Sequence, residues 1–136
     1  MKGDDAIGSI IAGELRGEIR NSDILVIDCG SAPENFTAKI KSFNPDNILI
    51  IDAVQMGRDP GHIEEVSPDK IVGLLFSTHQ TPLKLLIQYI QKELPGAKVS
   101  FIGIEPKHTT FGATMSEEAM DAVEKLKGKL RKMAEN

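Results

Sequence analysis

Two kinds of hydrophobic pattern alternate along the 136 residues: short unbroken aliphatic runs, and longer segments whose apolar positions recur every three or four residues. The first marks a strand covered on both faces, the second a helix with one apolar stripe. In DDAIGSIIAGELRGEIR, residues 4–20, Ile7, Ile10, Ile11 and Leu15 fall at helical spacing, which predicts a helix. Asp4 stands where a cap for that helix is needed. Gly8 and Gly13 lower its propensity and mark candidate points of close packing on a sheet. DILVID, residues 23–28, predicts a buried strand with Cys29-Gly30 as the turn after it. Residues 34–43 predict a helix behind Pro33, and NILIIDAV, residues 47–54, predicts a second buried strand. MGRDPG is a loop of turn residues, and IEEV at 63–66 predicts a short edge strand.

Further on, Ser67 as N-cap and Pro68 at the first helical position predict a brief helix ending near Leu75. STHQTP at 77–82 is a polar loop, followed by the amphipathic segment PLKLLIQYIQKEL, which Pro95-Gly96 terminates. KVSFIGIEP, residues 98–106, predicts a third buried strand. SEEAMDAVEKLKGKLRKM predicts a capped final helix, with Glu117 and Glu118 in its first turn and basic residues in its last. Apolar strands alternating with helices predict an α/β fold, a three-layer sandwich with a mostly parallel twisted sheet between helices. The length, with no internal repeat or low-complexity tract, predicts a single domain over residues 1–136.

Composition narrows the function. Hydrophobic residues make up 40% and charged residues 26%, an ordinary balance for a globular chain. The net charge is −4, aromatic residues number six, and no basic stripe exists, which argues against nucleic-acid binding. The longest aliphatic run, ILII at 48–51, is far too short to span a bilayer, and no basic-then-apolar leader opens the chain. No membrane insertion is therefore expected. A lone Cys29 cannot form an internal disulfide, so a reducing cytoplasm is the expected compartment. Cys29 reads as a small residue at a strand end or as a nucleophile. No GxGxxG turn, P-loop or GxSxG elbow is present, which sets aside nucleotide-binding modules and serine hydrolases.

In open α/β sheets, sites form at the carboxyl ends of strands and the amino ends of the helices that follow. Asp5 heads the first helix, Asp52 closes the strand ILIID, and His79 lies in STHQTP just ahead of a helix. Two carboxylates and an imidazole suit a borderline divalent ion such as nickel or zinc with open positions. Their separations, 47 and 27 residues, make a site only if the fold gathers them. Read from the residues alone, Asp5 also fits a helix cap, His79 a surface residue, and Asp28 a locally hydrogen-bonded acid. An acid ending a buried strand is harder to explain away, because burial makes a carboxylate costly there. His62 and His108 read as structural or exposed.

Taken together, GDDAIG, IDCGSAPEN, LIIDAVQMGRDPG, STHQTPL and the strand FIGIEP resemble the [NiFe]-hydrogenase maturation endopeptidases. The likeness is to the branch that processes large subunits of group 4, formate-hydrogenlyase-type hydrogenases, and it covers nearly the whole chain. It implies a phosphorylase/hydrolase-like fold and one endoproteolytic cut, removing the C-terminal extension of the large-subunit precursor after nickel insertion. On the matching motifs, Asp5, Asp52 and His79 become the metal ligands that meet substrate-borne nickel. Zinc or cadmium would be accepted there in crystals. Asp5 and Asp52 become the catalytic carboxylates, in either an aspartic or a nickel-dependent chemistry. The resemblance implies a cytoplasmic enzyme, monomeric or weakly self-associating, whose partner is the precursor. Members begin with an apolar strand ending in Gly-Asn before the GDD loop, whereas this sequence starts at that loop. The expectation is a sheet lacking the family's first strand, and the alternative function is a relative that binds precursor or metal without cleaving.

Overall fold

Apolar stripes and most apolar runs become helices and strands in the computed structural model, which describes residues 3–30, 32–67, 69–70, 81–107 and 115–135, with backbone alone at residues 4, 5, 81 and 82. The elements are α1 (Ile7–Glu18), α2 (Thr37–Phe43), β1 (Asn47–Ala53), β2 (Ile63–Val66), α3 (Thr81–Glu93), β3 (Lys98–Ile104) and α4 (Glu117–Ala134). Tighter 3₁₀ turns, Gly3–Ala6 and Pro33–Phe36, lead into α1 and α2. The N-cap position of α1 therefore falls on Ala6, which makes no side-chain cap bond, rather than on Asp4. Ser116 caps α4 as expected, its Oγ accepting the Ala119 N–H at 3.1 Å. Asp69 and Lys70 are helical, and the remainder of the expected helix through Leu75 lies outside the described residues. Among the described residues no helix is long and apolar enough to cross a membrane.

The strand order is β1-β3-β2. Lys98 N–H donates to the Asp46 carbonyl at one end of the β1–β3 pair and Val54 N–H to the Ile104 carbonyl at the other, so these strands run parallel. At the opposite edge Glu105 N–H donates to the His62 carbonyl, so β2 starts where β3 ends and runs antiparallel to it. The sheet is thus small, open and mixed. A mostly parallel sheet would need β1 and β2 joined by a helical crossover, and the loop of residues 54–62 is too short to hold one. The run DILVID is not a strand: residues 24–29 belong to none of the three. Apolar content supplies a reason for burial, but strand structure exists only through a ladder neighbour.

Two compact units divide the chain. The first comprises Met1–Asp28, Ile51–Glu64 and Gly103–Asn136. In it α1 buries Ile7, Ile11 and Leu15, at successive turns of one face, and packs against α4, which buries Ala119, Ala122, Val123 and Leu126. Lys127 bonds Glu14 and Arg131 bonds Glu18, one turn further along both helices in the same sense, so α1 and α4 run parallel. The second unit comprises Cys29–Ile50 and Glu65–Ile102. Its core takes the Leu83, Leu86, Ile87 and Ile90 stripe of α3, which packs against α2 and the turn before it, together with Ile40, Val66 and Phe101. Each fully buried aliphatic or aromatic side chain contributes about 1.5–3 kcal/mol.

Candidate functional site

Asp52 is the penultimate residue of β1, half-buried, and its Oδ1 accepts the N–H of Ala53 at 2.9 Å. The parallel β1–β3 pair ends here, with Val54 N–H bonded to the Ile104 carbonyl at 3.1 Å. An acid thus stands at the carboxyl end of parallel strands, where α/β folds place their chemistry.

The start of α1 is brought to the same point. A Cβ added to Gly8 would sit 2.8 Å from the carbonyl oxygen of Ile51, so the first turn of α1 lies directly on β1 one residue ahead of Asp52. Asp5 belongs to the 3₁₀ turn immediately before, three residues ahead of that contact. Of the two glycines expected at close packing, Gly8 makes the contact, and nothing lies within 4 Å of a Cβ added to Gly13. The Asp5 side chain and all of His79 lie outside what the structure describes, and among the described residues no three His, Cys, Asp or Glu gather as a metal site. Asp28 is not engaged only within its own loop: its Oδ1 accepts the Ser9 hydroxyl of α1 at 2.8 Å. Cys29 forms no disulfide and is half-buried. His62 is surface-exposed and pairs with Glu64 at 3.1 Å, with Arg58 on the same carboxylate oxygen at 3.4 Å.

One residue of this region escapes the sequence reading. Glu105 follows β3 and is only 6% exposed. Its Oε1 accepts two backbone N–H groups, from Met56 at 2.7 Å and Arg58 at 3.0 Å. Its own N–H donates to the His62 carbonyl, and its carbonyl accepts from Gly61 N–H. The loop after Asp52 is therefore tied to the end of β3 near both of its ends. The signal was available: Glu105 closes the apolar strand KVSFIGI as Asp52 closes ILII, and the same cost of burying a carboxylate applies to both. Gly61 completes the fixture, at φ +86° and with a Cβ position 2.7 Å from the Glu118 carbonyl oxygen, so only glycine fits.

The family described as Hydrogenase maturation protease matches residues 10–132. The chain is 38% identical to the Hydrogenase 3 maturation protease of Escherichia coli strain K12, over 91% of this chain and 78% of that protein. Among solved structures, the [NiFe] hydrogenase maturation protease HycI from Thermococcus kodakarensis superposes with a TM-score of 0.90 at 31% identity, covering 99% of this chain and 86% of that one. The solution structure of the endopeptidase HycI from Escherichia coli gives a TM-score of 0.84 at 37% identity, over 96% and 82% of the two chains. With the matched region running from α1 nearly to the end of α4, and a relative 38% identical over 91% of the chain, the chain belongs to the hydrogenase maturation protease family.

Proposed function

We propose that this chain is the endopeptidase that removes the C-terminal extension from a [NiFe]-hydrogenase large-subunit precursor once nickel has been inserted. The observation that supports the reading is the seating of α1 on β1 through Gly8, one residue ahead of Asp52 on the strand and three residues after Asp5 in the chain. His79, in STHQTPL, is the third member of the set by its motif. Nickel is here part of the substrate. Two carboxylates and an imidazole suit it as additional ligands, and this donor set docks the precursor by its metal.

In the cut itself a water adds to the scissile carbonyl, a carboxylate of Asp5 or Asp52 takes its proton, and that proton passes to the leaving amine as the C–N bond breaks. Asp52 fits the base role through its place at a strand end, half-buried and oriented by its bond to the Ala53 N–H. The lone cysteine accords with work in a reducing cytoplasm.

Asp52→Ala and His79→Ala are expected to fold, with unaltered circular dichroism, and to leave nickel-loaded precursor uncut in a gel-shift processing assay. Precursor prepared without nickel is expected to resist the unaltered chain. Normal processing by both variants would overturn the assignment of these residues.

A further inference from the structure

Glu105 has no part in the chemistry above, yet it is among the few charged residues withdrawn from solvent. A carboxylate is costly in that position unless its oxygens are hydrogen-bonded. Here one oxygen takes the N–H groups of Met56 and Arg58, and the backbone of the same residue pairs with Gly61 and His62. Four hydrogen bonds from one residue pin a loop that begins two residues after Asp52. What the loop shows to solvent is Gln55, Gly57, Arg58, Asp59, Pro60 and His62. Such a rim does little for the aliphatic core of its unit. A rigid, exposed polar rim beside the candidate acid is what a docking surface for an extended peptide requires, because ordering it beforehand removes that cost from binding.

We propose that Glu105 is a positioning residue for precursor processing: as a hydrogen-bond acceptor of fixed reach, it holds residues 54–62 in the shape against which the precursor docks beside Asp52. The inference rests on the processing function proposed above. It assigns the effect to reach rather than to charge. A glutamine keeps an oxygen in the place of Oε1 and drops the charge, whereas an aspartate keeps the charge and falls one methylene short of the two amides.

The test compares Glu105→Gln, Glu105→Asp and Glu105→Ala with the unaltered chain, reading kcat/KM on nickel-loaded precursor and amide hydrogen exchange at Met56 and Arg58. Glutamine is expected to retain near-normal turnover and amide protection. Aspartate and alanine are expected to lose protection at both amides and about 10²-fold in kcat/KM, the scale set by misplacement of about 1 Å. Should those two variants fail to fold, Gly57→Val carries the test. Residue 57 has φ +74° with nothing within 4 Å of its Cβ position, so a β-branched valine strains the loop through its backbone and is expected to depress kcat/KM with Glu105 intact. Aspartate matching the unaltered chain, glutamine as impaired as alanine, or wild-type turnover by Gly57→Val would each overturn the inference. Failure of the unaltered chain to cut any nickel-loaded precursor would strike the processing function itself.

Discussion

A methyl group added at Gly8 would stand 2.8 Å from the Ile51 carbonyl oxygen, and backbone on both sides leaves it nowhere to go. Gly8→Ala is therefore expected to cost about 1–3 kcal/mol in chemical denaturation, as overpacking does. Because the contact seats the turn of Asp5, the same variant is expected to lose processing at temperatures where it remains folded. Gly13→Ala, with open space around its Cβ position, is expected to stabilise α1 slightly. Both glycines look alike in sequence, since each interrupts an apolar stripe. What separates them is which face meets β1, a fact held in the packing. Asp52 and Glu105 form a similar pair: each ends an apolar run, and for each the cost of a buried carboxylate gives notice of a partner. That Glu105 bonds a loop 47 and 49 residues away could not be read from its neighbours in the chain.

The pairing of α1 with α4 is written in helical period but secured by charge. Arg131 donates to both carboxylate oxygens of Glu18, which holds the Glu18 carboxyl below its ordinary range, and the Arg131 guanidinium is raised in turn. Lys127 is raised by its bonds to Glu14 and Glu124. A carboxyl lowered on folding adds stability above the ordinary carboxylate range and loses it as pH falls through its folded value. The raised cations lose the same interaction from the other side, on deprotonation in strong alkali, and in acid it goes when the partner carboxylates protonate. Glu18→Gln is thus expected to lower the melting temperature modestly at neutral pH, the pair being solvent-exposed. The difference from the unaltered chain is expected to vanish below the ordinary carboxylate range, and persistence of the full difference in acid would refute the pairing. The existence and extent of α1, α3 and α4 follow from local period and end signals such as Ser116 and Pro95. DILVID shows where that reading fails, because its composition is that of a strand and no strand forms.

Core and sheet distribute stability unevenly over the three strands. Phe101, at the middle of the central strand β3, is fully buried, while Leu49 on β1 remains 39% exposed although its run is the more aliphatic of the two. Phe101→Ala is expected to cost about 3–5 kcal/mol. Leu49→Ala is expected to cost on the order of 0.5 kcal/mol, as at other exposed positions, and urea denaturation of the two variants measures the contrast.

The amino-acid sequence by itself determined the α/β class, the succession and type of most elements, the cap of α4 and the candidate acids, and the motifs that place the chain in its family. These are properties of residues near one another in the chain, where period, capping and the cost of burying charge act locally. Folding in three dimensions determined that β3 lies between β1 and β2, that β2 runs back along β3, that residues 24–29 stay out of the ladder, and that Gly8 rather than Gly13 touches the sheet. It also determined that GDDAIG meets the end of β1 and that Glu105 holds the loop beyond it. Each of these depends on a hydrogen-bond partner or a packing neighbour dozens of residues away, and no local pattern encodes which distant group will be there.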